Sequence, residues 1–189
     1  MRILLIDNHT DYLHNFSEIF TNHSVEIQEY KPGLEFHTED KDLIILSGGG
    51  GEGFELKDKV RNGKLWYEDE MNFVLGCDKP LVGVCMGFEV ISAAFGSEVE
   101  HIGRLVSGFR SQSTSSKGQK ALGHAKLRQY EHHRYGVGKV SSKHFEVLAD
   151  SATGIELIKH KTRKIVASQF HPEQAGGTMD LRTLIGQLS

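Results

Sequence analysis

A length of 189 residues suits one domain, 1–189, with a sizeable core, and 38% apolar with 25% charged residues excludes a disordered or fibrous chain. No run reaches the ~18–20 apolar residues of a membrane span, and a net charge of −3 with scattered lysines argues against a nucleic-acid surface. The start, MRILLIDNHTD, lacks the regions of a cleavable signal, so the two cysteines, Cys77 and Cys85, are expected to be reduced thiols of a cytoplasmic protein.

The first element is a short apolar strand, residues 2–6, followed by polar DNHTD. Apolar residues at 12, 13, 16, 19 and 20 predict a helix, with Asn8 or Thr10 as its cap. VEIQEY (25–30) alternates as a strand does and stops at the turn KPG. DLIIL (42–46) is a buried-strand run that empties into SGGGGEG. Residues 54–76 read as one or two helices broken near Asn62-Gly63, PLVGV (80–84) as a strand and 86–95 as a helix. This alternation predicts a parallel sheet covered on both faces. Beyond Gly96 the style changes: LGHAKLRQYEHHRYGVGKV, FEVLAD, IELIKH and RKIVASQF read as successive, partly antiparallel strands, with HKTRK as a hairpin turn. SQSTSSKGQK (111–120) has the composition of an exposed loop, and a helix is expected from about 178.

Three places carry residues suited to chemistry. Gly48, Gly50 and Gly53 fit G-x-G-x-x-G, but no acidic strand end follows about 20 residues later and no Gly-Lys-Ser/Thr follows at all. A plain turn and half of an oxyanion hole both satisfy these glycines. Cys85 lies between a strand and a helix with Gly83 and Gly87 on either side, the cysteine counterpart of a serine nucleophile elbow. A helix N-terminus favours negative charge there, and the N–H of Met86 would face a developing oxyanion. Alone, this motif fits a buried structural thiol equally well. After the strand KIVASQF come His171, Pro172 and Glu173, a base and a carboxylate able to orient it. The 11 histidines include the neighbours His132 and His133, whose side chains leave a strand on opposite faces, so no shared metal, and no cofactor, is expected.

Taken together, these motifs resemble the class I (triad) glutamine amidotransferase family from Met1 to about Glu173. The elbow G-x-C-x-G-H-Q corresponds to Gly83-Val-Cys-Met-Gly-Phe-Glu89, S-G-G-P to Ser47-Gly-Gly-Gly50, and Q-F-H-P-E is intact at Gln169 to Glu173. The amino-terminal D-N pair is Asp7-Asn8. The resemblance implies a flavodoxin-like three-layer α/β domain with a central mostly parallel sheet and an antiparallel C-terminal extension. It implies Cys85 as nucleophile, His171 as base and Glu173 as its orienting partner. Gly49 and Met86 would donate to the oxyanion, and Glu89, Arg134 and Tyr135 would meet the substrate, L-glutamine. Phe88-Glu89 departs from the family's His-Gln, and Gly50 from its proline. With no synthetase domain in the sequence, the resemblance implies a separate partner that receives ammonia, with a lean toward GMP synthetase. A γ-glutamyl peptide hydrolase working alone and an idle regulatory pseudo-enzyme are the competing readings, and the complete triad opposes the second.

Overall fold

The computed structural model describes residues 1–49, 60–61, 64–65 and 67–188. In chain order the elements are β1 (Arg2–Asn8), α1 (Leu13–Ile19), β2 (Ser24–Glu29), β3 (Leu43–Gly49), β4 (Val60–Arg61), β5 (Lys64–Leu65), α2 (Glu68–Gly76) and β6 (Leu81–Val84). There follow α3 (Met86–Ala94), β7 (Glu100–Thr114), α4 (Ser116–Leu122), β8 (Lys126–Gly136), β9 (Phe145–Ser151), β10 (Gly154–His160), β11 (Ile165–Ser168) and α5 (Leu181–Gly186). Nine strands make one sheet in the order β2-β1-β3-β6-β11-β10-β9-β7-β8. Neighbours from β2 to β11 run parallel, and those from β11 to β8 antiparallel. The flavodoxin-like α/β class with an antiparallel extension is thus the observed fold.

The apolar runs explain why the parallel half lies inside. In β1 and β3, Leu4, Ile6, Ile44 and Leu46 join one core cluster, while Ile3, Leu5, Leu43 and Ile45 join another. Successive strand residues point to opposite faces, so the sheet is buried on both sides. Val74 of α2 and Phe88 and Ile91 of α3 belong to the first cluster, whereas Phe16 of α1 and Leu181 and Leu184 of α5 belong to the second. Three layers result. Among the described residues, no helix is long and apolar enough to cross a membrane.

Four expectations change. Residues 111–120 are not a loop: Ser111 to Thr114 complete β7, and α4 follows at once. Ser115 caps α4 by accepting from the Gly118 N–H at 3.1 Å, while its own hydroxyl donates to the Val147 carbonyl at 2.7 Å. Polar composition hid a strand whose stability comes from backbone pairing with β8 and β9. Neither Asn8 nor Thr10 caps α1. The N-cap is Tyr12, without a side-chain bond, and Asn8 turns inward to Ser47 and Glu70. The helix expected over 54–76 is present only as α2; residues 60–61 and 64–65 pair as antiparallel strands, and the rest of that stretch lies outside the described residues. The C-terminal helix starts at Leu181, where Asp180 accepts from the Thr183 N–H at 2.8 Å.

Candidate active site

Cys85 occupies the single residue between β6 and α3, with φ 50° and ψ −104°. A positive φ costs a residue with a Cβ energy, and such strain persists only where neighbours over-determine the backbone. Here the Cys85 N–H donates to the Ser168 carbonyl of β11 at 2.8 Å, and its carbonyl accepts from the Glu89 N–H at 3.1 Å. The flanking glycines are required by packing. A Cβ on Gly83 would lie 2.7 Å from the Gly87 carbonyl, and one on Gly87 would overlap the Leu46 carbonyl oxygen of β3. The G-x-C-x-G spacing is therefore the condition for α3 to start against the sheet.

His171 stands two residues beyond Gln169 and three beyond β11, and its backbone N–H donates to the Tyr130 carbonyl of β8 at 2.8 Å. Its Nδ1–H donates to Glu173 Oε1 at 2.7 Å, and both side chains are almost wholly buried. Among the described residues, Nε2 has no hydrogen-bond partner. Gly48 lies between the imidazole and the thiol: a Cβ there would be 3.1 Å from His171 Cε1 and 3.5 Å from Cys85 Cβ. The Cys85 sulfur is near enough to act on the imidazole electrostatically, although it makes no hydrogen bond of ordinary geometry with Nε2. Burial opposes the charged ring, but the Glu173 carboxylate and the Cys85 sulfur outweigh it, and the His171 pKa lies well above its usual value.

A raised histidine pKa stabilises the fold fully below the unfolded value of about 6.5, and that contribution is lost as pH rises through the folded value. In ¹⁵N NMR, His171 is expected to remain imidazolium above pH 6.5, and Glu173→Gln should lower its midpoint. A wild-type midpoint at or below 6.5 would overturn the pairing.

The loop at the end of β3 is fixed from below. Asn8 donates from its backbone to Ser47 Oγ at 2.9 Å, and from its side chain to the Ser47 carbonyl at 3.3 Å and to Glu70 Oε1 at 3.0 Å. The Asp7-Asn8 pair thereby ties β1 to β3 and α2. Gly49 is wedged between Asn8 and Met86: a Cβ on it would overlap the Asn8 carbonyl and sit 2.5 Å from Met86 Sδ. The two residues expected at the oxyanion are thus neighbours. Gly50 lies outside the described residues.

Glu89, one helical turn past Cys85, is buried, and its Oε1 accepts from Gln169 Nε2 at 3.2 Å. The same amide nitrogen is 3.9 Å from Cys85 Sγ, so Gln169 links the carboxylate to the thiol. Arg134 is exposed on β8, and Tyr135 packs edge-on against His101 with ring centroids 5.0 Å apart. From β8, the His132 carbonyl comes within 3.8 Å of Cys85 Sγ. His132 and His133 do diverge: His132 lies beside Ser107, with Nδ1 3.2 Å from its hydroxyl, while His133 is buried beside Glu131.

Two aromatic residues at the site carried no signal of their own. The Tyr12 ring stands at 80° to the His171 ring with centroids 5.1 Å apart, and Tyr130 is 6.2 Å from the same ring. Tyr12 reads in the sequence as the first residue of an amphipathic stripe, and Tyr130 as an ordinary strand aromatic. Only the curl of the sheet brings them to the imidazole, where their rings wall it from solvent.

The sequence model of the family described as Glutamine amidotransferase class-I matches residues 4–188. Anthranilate synthase component 2 of Saccharolobus solfataricus is 24% identical over 98% of this chain and 97% of its own length. A glutamine-hydrolyzing GMP synthase subunit of Methanosphaera stadtmanae is 28% identical over 92% of this chain and 89% of its own. The crystal structure of a glutamine amidotransferase from Thermotoga maritima shares the fold, with a TM-score of 0.70 at 19% identity over 97% of this chain and 78% of that one. With elbow, glycine loop and His-Pro-Glu turn gathered at one end of the parallel strands and nearly the whole length matched, this chain belongs to the class-I glutamine amidotransferases.

Proposed function

We propose that this chain hydrolyses the side-chain amide of L-glutamine and passes the ammonia to a separate synthase. The observation that carries the reading is Cys85, seated at φ 50° on its elbow beside the 2.7 Å His171–Glu173 pair. Cys85 Sγ attacks the amide carbon, and the charge on the carbonyl oxygen is received by the N–H groups of Gly49 and Met86. The one proton shared by the Cys85–His171 pair, carried on His171 Nε2 when Sγ attacks, is delivered to the leaving nitrogen, so that ammonia departs, a γ-glutamyl thioester remains and the imidazole is left neutral. Water, deprotonated by the same imidazole, then cleaves the thioester to glutamate and restores the thiol. Glu173 holds the ring through Nδ1 and balances its charge. Glu89, Arg134 and Tyr135 are the proposed contacts for the amino-acid end of glutamine.

The partner favoured is the synthetase component of a GMP synthase. The stretch IELIKHKTRKIVASQFHPE and the likeness to the Methanosphaera protein support that choice. Anthranilate synthase component 2 is matched over a similar span, so the two acceptors must be compared directly. Ammonia and glutamate should be measured from glutamine with the chain alone, with the GMP synthase partner, and with the other anthranilate synthase component. The expected result is hydrolysis that rises with the first partner and GMP formed at the expense of glutamine. A rise only with the second reassigns the acceptor and keeps the glutaminase. Preferred turnover of γ-glutamyl peptides without any partner, or no hydrolysis under any condition, overturns the reading.

A further inference from the structure

A second cluster lies behind the strand that borders the thiol. Glu131 and His133 of β8 and Glu156 of β10 are all buried, and one ligand atom from each falls within 4.8 Å of the others. These strands are not neighbours in the sheet, because β9 and β7 lie between them. The curl brings β8 back over β10, where the Ile155 N–H donates to the carbonyl of Val137, just past β8, at 2.9 Å.

The side chains are held as metal ligands are held. The second nitrogen of a metal-bound histidine ordinarily donates to a carbonyl or carboxylate, and bound carboxylates are themselves hydrogen-bonded. His133 Nδ1 donates to the Tyr135 carbonyl at 2.7 Å, and Nε2 stands 3.4 Å from Glu131 Oε2, to which it donates in the absence of an ion and beside which its lone pair would bind one once that proton leaves. That distance is close to the separation of two ligands bound at 2.0–2.1 Å about one tetrahedral ion, roughly 3.3 Å. The other oxygen of Glu131 accepts from the Gln112 amide. Glu156 Oε1 accepts from Ser151 at 2.6 Å and Thr153 at 3.0 Å. Its second oxygen, Oε2, has no hydrogen-bond partner among the described residues, although Glu156 is 1% exposed. An unsatisfied buried carboxylate oxygen beside a second carboxylate is costly, and a cation would satisfy it.

We infer that Glu131, His133 and Glu156 bind one divalent transition-metal ion of the zinc class, which fastens β8 to β10. Two carboxylates and an imidazole suit zinc among the common ions, and they neutralise its charge. The ion would lie beneath the reacting groups, not among them. The residue before His133 supplies the carbonyl near Cys85 Sγ, and the Glu156 carbonyl accepts from the backbone of Gln169, whose side chain reaches Cys85 and Glu89.

The test uses the purified full chain, stripped with chelator and titrated with Zn²⁺. One ion per chain is expected, together with a higher melting temperature. Both should persist in Cys85→Ser, which excludes the thiol as ligand. Glu156→Gln and His133→Gln should weaken binding by at least the roughly 10–100-fold that loss of an outer-shell partner costs. Co²⁺ added to the unmutated chain should give ligand-field bands without thiolate charge transfer, a readout that does not depend on any variant folding. Absence of stoichiometric Zn²⁺, retention in Glu156→Gln, loss in Cys85→Ser or a thiolate band would each overturn the site.

Discussion

Replacing Cys85 by alanine is expected to reduce ammonia release from glutamine by roughly 10⁴–10⁶-fold, into the background, as removal of a covalent nucleophile does. The fold should survive. Alanine keeps the backbone at φ 50° under the same strain, and only a sulfur atom leaves a site that the Ser168 and Glu89 backbone bonds continue to fix. A diazo-ketone analogue of glutamine should label Cys85 and spare Cys77. Burial pushes the Cys77 thiol up from its usual value, and its sulfur is turned toward the Lys79 carbonyl, 3.9 Å away. Mass spectrometry of the labelled chain and a coupled ammonia assay check both halves. Label on Cys77, or glutamine hydrolysis that survives Cys85→Ala, would remove Cys85 from its role.

The second large effect is structural. Gly87→Ala places a methyl group on the Leu46 carbonyl oxygen and 2.8 Å from Leu46 Cβ, where both obstacles are parts of β3 rather than the tip of a flexible chain. Two terms oppose each other. Helix propensity favours alanine by about 1 kcal/mol, while overpacking costs about 1–3 kcal/mol and more where backbone must move. The second wins here because α3 cannot withdraw without carrying Cys85 away from Ser168. A net loss near 2 kcal/mol corresponds to a melting temperature lower by about 4–8 °C in a chain of this size, and activity should fall with it. Gly76→Ala, at the end of α2 with no described atom near its Cβ position, is the control and should be neutral. Thermal unfolding of the two variants side by side decides it; equal melting temperatures would show that the elbow tolerates a side chain.

The parallel half was legible because RILLI, DLIIL and PLVGV supply strands buried on both faces, which must be apolar at successive positions. That Cys85, His171 and Glu173 stand together was legible because each lies on special local backbone, which leaves glycine or proline beside it. β7 was not, since its Ser and Gln residues are satisfied by partners far along the chain, such as Gln112 on Glu131. Tyr12, Tyr130 and the Glu131–His133–Glu156 group were invisible for the same reason. Their meeting is a property of the curl, and no spacing within one segment encodes it. The polar stretch at 111–120 shows the cost of reading composition without pairing.

β11 follows every other strand of the sheet in sequence, yet it lies between β6 and β10, near the middle of the sheet. That order has a consequence in time. During synthesis the thiol of Cys85 emerges first, followed by β7 to β10, while the carbonyl of Ser168 that seats it and the imidazole of His171 come only after both. A partly made chain therefore holds Cys85 without the strand that seats it. β11 pairs with β10 across the short turn 161–164, but to reach β6 it must close a loop around the whole antiparallel region, the kind of closure that slows assembly. Under the glutaminase proposal, a newborn molecule therefore gains its reactivity only when its central layer closes.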